Sequence, residues 1–240
     1  MSTPLSNPAS ALVLGTAQQG MRYGIANTHG QPAPREIARI VAGVWRRGVR
    51  IFDTAPAYGN AERLLGHALA QNAIASEAAV ISKLATDIDP ADRAAVAASV
   101  AASLRELGVA RLWGLLLHRE ELLDQWAGAL GARLRELKET GRVARLGVSV
   151  YSPQRALQAL EIEDLDLLQV PANLFDRRME RSGVFRRAAE LGKSVFVRSA
   201  YLQGLALMDP DNAPREIEDA RAALGALCRF CAERGLDRRR

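Results

Sequence analysis

Asp53, Tyr58, Lys83 and His118 are the residues of this chain whose types and spacing could do chemistry together. Asp53 and Tyr58 lie in Ile51-Phe52-Asp53-Thr54-Ala55-Pro56-Ala57-Tyr58-Gly59-Asn60. Lys83 ends the apolar run Ala79-Val80-Ile81-Ser82-Lys83, and His118 ends Leu115-Leu116-Leu117-His118. A free tyrosine, with a pKa of about 10, is a poor acid at neutral pH. A neighbouring ammonium favours the phenolate and lowers that value, and a carboxylate paired to the ammonium holds it in place. Tyr58, Lys83 and Asp53 therefore read as a proton donor with its tuning pair. His118 can donate a hydrogen bond that polarises a carbonyl oxygen where negative charge develops. The set holds neither a nucleophile nor a metal cluster. Proton delivery to a carbonyl oxygen leaves hydride to be delivered to its carbon, and a nicotinamide cofactor supplies what no side chain can.

Each of the four residues ends, or just follows, a short apolar run of the kind that forms buried parallel strands. Such runs recur at Ala11–Leu14, Arg50–Asp53, Val80–Lys83, Leu112–His118, Arg145–Val150, Leu165–Val170 and Ser194–Arg198. Helical patterns fill the intervals. Ile37, Ile40, Val41 and Val44 repeat at helical spacing after Pro34, and Gly48 is their stop signal. Asn60 reads as the cap of a helix carrying Leu64, Leu65, Ala68 and Leu69. Asp89-Pro90 reads as cap and first-turn proline of a helix carrying Val96, Val100, Leu104 and Leu107, closed by Gly108. Gly141 closes another helix, and a last one is expected from about Pro214 to Arg234. Regular strand–helix alternation predicts an α/β fold with right-handed crossovers, a (β/α) barrel whose strand ends converge on one face. Seven units are visible, and an eighth is absent from the pattern.

With these residues in place, the chain resembles the aldo-keto reductases, NAD(P)H-dependent carbonyl reductases built on a TIM barrel. The resemblance runs from about Leu12 to Asp209 and is strongest in Phe52-Asp53-Thr54-Ala55-Pro56-Ala57-Tyr58-Gly59, with Glu62 and Gly66 following. It implies that Tyr58 is the general acid, that Lys83 and Asp53 tune it, and that His118 orients a small aldehyde or ketone. It also implies cofactor contacts. Gly147-Val148-Ser149 and Gln169 look like the groups that hold the nicotinamide carboxamide. Arg198-Ser199 through Leu202-Gln203-Gly204 looks like the loop along the cofactor, and Gly15-Thr16 like the first strand end beneath it. Relatives carry their clasp for the adenosine end of NADP(H) in the eighth unit. The resemblance therefore implies weakened or lost binding here, with the first and seventh strands left as edges open to self-association. Two other readings remain: a cofactor-independent lyase or isomerase using Tyr58 and Lys83 for enolisation, and a non-catalytic family member.

At 240 residues the chain suits one barrel domain. Met1–Pro8 lacks the basic start and apolar core of a signal peptide, and no apolar run reaches the ~18 residues of a membrane span, so a cytoplasmic protein is expected. The net charge of +5 is concentrated in residues 234–240, which carry four arginines and one aspartate and read as a frayed, solvated tail. Nucleic-acid binding is not expected, because aromatics make up only 5% and no basic stripe contains them. Cys228 and Cys231 fall late in a helix with no second Cys or His pair to complete a zinc site, so they read as packing thiols. His29 and His67 carry no partner pattern. Trp45, Trp113 and Trp126 read as core, and Met21-Arg22-Tyr23 as residues at the mouth of the pocket.

Overall fold

In the computed structural model, which describes residues 12–217 and 219–238, seven strands form a single parallel sheet in chain order. They are β1 (Val13–Gly15), β2 (Ile51–Asp53), β3 (Ala79–Lys83), β4 (Gly114–Leu117), β5 (Leu146–Ser149), β6 (Leu167–Pro171) and β7 (Ser194–Arg198). The helices are α1 (Ala17–Gly20), α2 (Pro34–Arg46), α3 (Ala61–Gln71), α4 (Arg93–Leu107), α5 (Ala129–Glu139), α6 (Pro153–Leu160), α7 (Arg178–Arg181), α8 (Val184–Glu190) and α9 (Ala220–Glu233).

Strand side chains alternate between two apolar layers, as a period of two requires. Ile51, Ala79, Ile81, Trp113, Leu116 and Leu167 form an inner cluster, on which Val13 of β1 and Phe196 of β7 also pack. Residues from the two end strands meeting one cluster means that the sheet has curled into a barrel. Phe52, Val80, Leu115, Leu117, Val148 and Leu168 face outward and join Ile37, Leu65, Leu69, Val96 and Val100 in the larger core under the helices. The alternation places Asp53 and Lys83 on the inner side with Ile51 and Ile81. Ser82 faces the helices. The barrel is not closed, since the outer edges of β1 and β7 pair with no strand among the described residues. A cavity of about 300 Å³ lies between them, lined by Val13, Gly15, Phe196, Val197 and Gly204.

Several boundaries differ from the sequence reading for tertiary reasons. The first strand is Val13–Gly15, and Ala11 lies outside the described residues, as do Met1–Pro8 and the Arg239-Arg240 end of the basic tail. Leu112 makes only an isolated bridge to Val143, so β4 begins at Gly114. Helix α4 starts after Asp92, whose carboxylate accepts from the N–H groups of Ala94 and Ala95, whereas Asp89 only closes the preceding turn through Ala91. Asn60 occupies the cap position of α3, but its Oδ1 accepts from Gln31 Nε2 at 2.7 Å instead of capping. Helix α9 begins at Ala220, not near Pro214. Gly48, Gly108 and Gly141 end their helices with φ of 90°, 64° and 74°, as expected of glycine stops. Trp113 and Trp126 are buried, Trp45 stacks on Phe52, and His29 and His67 are exposed. Cys228 and Cys231 are free thiols on α9, the second buried. Beyond α9, the Arg238 guanidinium donates to the Met208 carbonyl at 2.9 Å. No described helix is long and apolar enough to cross a membrane.

Candidate active site

Three successive strand ends, those of β2, β3 and β4, deliver the polar set to one face, with Asp53 and Tyr58 both from β2 and its following loop. Lys83 Nζ, on a side chain only 1% exposed, donates to Asp53 Oδ1 at 2.8 Å and to the Thr54 carbonyl at 3.0 Å. A buried lysine is tolerable only with such partners, because an unpaired ammonium there loses its hydration without compensation. The same ammonium lies 4.8 Å from the centre of the Tyr58 ring, and that ring meets His118 edge-on with centroids 5.9 Å apart. Two glycines fix the approach of the Tyr58 loop. A Cβ on Gly20 would sit 1.8 Å from the Tyr58 carbonyl, and Gly59, at φ 61°, would place one 2.4 Å from the Gly20 carbonyl. Neither position accepts a side chain, so α1 and the Tyr58 loop lie backbone against backbone.

The electrostatics differ from the sequence expectation in one respect. The pKa of Tyr58 is raised, not lowered: burial dominates, and Lys83, which pulls downward, only partly offsets it while Asp53 adds to the rise. Tyr58 is therefore a protonated phenol at neutral pH, the form that can donate. His118 is pushed down to about 4, first by burial and then by the positive charge of Lys83, with a smaller push from Arg198. It is a neutral imidazole over the physiological range, and its Nδ1 is buried without a partner among the described residues.

These groups open into a cavity of about 680 Å³, within the range of small-molecule sites. Asp53, Tyr58 and His118 line it together with Gly15, Thr16, Ser149, Gln169, Arg198 and Ser199 from the expected cofactor set. Thr16 is spent on the fold, its hydroxyl donating to the Asp53 carbonyl at 3.0 Å. Gln169 Nε2 donates to Asp53 Oδ1 at 3.0 Å, which makes Gln169 part of the carboxylate's support as well as of the cavity wall. Gly204 lines the adjoining cavity between β1 and β7. Leu202 faces elsewhere, packing against the cluster of Leu205, Ala220 and Leu224 under α9. Among the described residues no group of three or more His, Cys, Asp or Glu could hold a metal ion.

The Aldo/keto reductase family model matches residues 11–238, nearly the whole chain. This chain belongs to the aldo/keto reductase family. The aldo-keto reductase YhdN of Bacillus subtilis is 28% identical over 147 residues, 57% of this chain and 43% of that protein. The chain thus spans less than half the length of this curated relative. A protein from Pseudomonas aeruginosa described as a candidate aldo-keto reductase has a solved structure that superposes with a TM-score of 0.66. It is 28% identical, with 82% of this chain and 77% of that one covered. A Bombyx mori aldo-keto reductase, solved in complex with NADP, shares the fold at a TM-score of 0.61 and 21% identity, covering 78% of this chain and 62% of its own.

Within this aldo/keto reductase barrel, some wall residues escaped sequence reasoning. Tyr151, two residues beyond the end of β5, lies with its ring 4.0 Å from the Arg198 guanidinium carbon, and its backbone N–H donates to Glu120 Oε2 at 2.7 Å. Gln18 also lines the cavity, as does Gln203 of the expected cofactor loop. Position just past a strand end was the available signal for Tyr151, and Gln18 had none. Tyr23 lines the cavity as expected, whereas Met21 and Arg22 do not. Glu62, noticed only as a motif position, is buried. It accepts from Ser82 at 2.6 Å and Ser103 at 3.2 Å, tying α3 and α4 to β3 one residue before Lys83.

Proposed function

We propose that this chain is a carbonyl oxidoreductase that uses NAD(P)H to reduce a small aldehyde or ketone. The observation that carries the reading is a protonated Tyr58 lying over a fully paired Lys83–Asp53 floor, beside a neutral His118, in a cavity of suitable size. The residues fit a nicotinamide. Ser149 and Gln169, a hydroxyl and an amide able to pair with its carboxamide, line the cavity. The NADP complex of the Bombyx mori relative supports the same choice. When bound, the cofactor supplies the hydride that no side chain can. This chain's residues do the rest. Tyr58 holds the proton destined for the carbonyl oxygen, while Lys83 stabilises the phenolate left behind and Asp53 keeps Lys83 in place. Neutral His118 donates the hydrogen bond that orients that oxygen.

The raised pKa of Tyr58 favours this reading over enolisation, in which Tyr58 would have to act as a phenolate base. Tyr58→Phe is the test. Loss of a general acid reduces turnover by about 10²–10⁴-fold, and NADPH binding followed by fluorescence should stay near the parent value. Turnover of Tyr58→Phe close to that of the parent would overturn the assignment.

A further inference from the structure

The wall of the catalytic cavity carries one charge that the chemistry above does not use. Of the charged side chains lining it, Asp53 is paired with Lys83, whereas Arg198 makes no ion pair among the described residues. Its Nη2 is buried without a hydrogen-bond partner among the described residues, and its guanidinium carbon lies 4.0 Å from the centre of the Tyr151 ring. Tyr151 is in turn anchored at its backbone by Glu120. With Tyr58 and His118 neutral and the floor pair cancelling itself, the cavity keeps a net positive charge. An unpaired guanidinium on the cavity wall, with an aromatic ring centred 4.0 Å from its carbon, is suited to take a planar anion through two parallel hydrogen bonds. It also lies near enough to the reacting end for its charge to act on His118.

We propose that Arg198 docks an anionic group on the carbonyl substrate, so that the preferred substrates are aldehydes or ketones carrying a carboxylate or phosphate. This deepens the oxidoreductase reading and rests on it. In a nicotinamide dinucleotide the phosphates are separated from the reacting ring by a ribose, whereas Arg198 shares its cavity with Tyr58 and His118. The geometry therefore favours the substrate over the cofactor as the source of the anion.

The matched probes are 4-formylbenzoate and its methyl ester, which differ in charge but hardly in shape. The wild-type chain should favour the acid in kcat/KM by at least tenfold. In Arg198→Met that acid-to-ester ratio should fall at least tenfold, and in Arg198→Lys, which keeps the charge but loses the fork, it should fall less. The lysine variant also covers the case in which Arg198→Met does not fold. Calorimetric titration with 4-(hydroxymethyl)benzoate reads the same docking without turnover. The wild type should bind it at least tenfold more tightly than Arg198→Met does, even if the oxidoreductase reading fails and no carbonyl is reduced. Equal affinity in wild type and variant, or an unchanged acid-to-ester ratio, overturns the proposal. Weakened NADPH binding with the ratio unchanged overturns it as well and assigns the guanidinium to a cofactor phosphate.

Discussion

The barrel has a closed half and an open half, and its charged site residues are divided between them. Every residue of β2, β3, β4, β5 and β6 is buried, whereas β1 and β7 are half-buried apart from Gly15 and Val197, which are exposed. The buried Lys83–Asp53 pair beneath Tyr58 belongs to the closed half. There the low dielectric strengthens each hydrogen bond and leaves the ammonium one geometry. The unpaired guanidinium, Arg198, belongs to the open half, at the end of β7. The segment after it holds three non-glycine residues in the left-handed region, Ser199, Leu202 and Gln203, at φ of 60°, 49° and 57°. Such backbone is costly and persists where a ligand-facing shape is imposed by its surroundings. On the function proposed above, one half fixes a proton donor. The other presents a surface to whatever enters.

The sharpest way to break this comparison is to unpair the floor. Lys83→Met leaves Asp53, 9% exposed, without its cation. Removing one partner of a buried ion pair costs about 3–5 kcal/mol, because the remaining charge is stranded. Urea unfolding should show a loss of that order. The double variant with Asp53→Asn should lose less than the two single variants summed, since it strands no charge. A loss below about 1 kcal/mol, the value of an exposed pair, would mean that water reaches the floor and that the halves do not differ as described.

The closed half is also where the sequence was most legible. Apolar runs ending in Asp53, Lys83 and His118 are local signals, and strand ends of parallel β/α units must share a face. Hidden from the sequence were the contacts that long chain separations bring together. Gln169 supports Asp53 from 116 residues away, and Gln31 takes the Asn60 side chain from 29 residues away, undoing an expected cap. The direction of the Tyr58 shift was hidden for the same reason: an ammonium neighbour can be read from a motif, but desolvation depends on the packed surroundings. In the open half, Leu202 and Gly204 share one loop yet face different clusters, because the left-handed residues between Ser199 and Gly204 turn the chain.

A second, smaller effect sharpens the contrast through pH. His118 falls from 6.5 to about 4 on folding, so the unfolded chain binds a proton more readily than the folded one in this interval. Stability is then greatest above the unfolded value and is lost as pH falls from about 6.5 toward 4. Glu62, raised by burial, works in the opposite sense above the ordinary glutamate value, so the His118 part is read as wild type minus His118→Gln. The wild type should lose stability more steeply than the variant over that window. Parallel slopes would show that the imidazole is solvated and that the catalytic face is open on this side too.

The smallest effect is expected at the seam itself. The outer edges of β1 and β7 pair with no strand among the described residues, and Val197 is 48% exposed there. Unpaired edges open more easily than strands paired on both sides and can add a strand from another molecule. Backbone amides of β1 and β7 should therefore exchange with solvent faster than those of β3 to β6. We further propose that the 240-residue chain self-associates through these edges in a concentration-dependent way. Val197→Lys places a charge on the open edge, where lysine is an effective block to strand pairing. Light scattering on wild type and variant at matched concentrations should show larger particles for the wild type only. If both chains are monomeric, with β7 amides as protected as those of β4, then the edge is already covered and the open half is closed in solution.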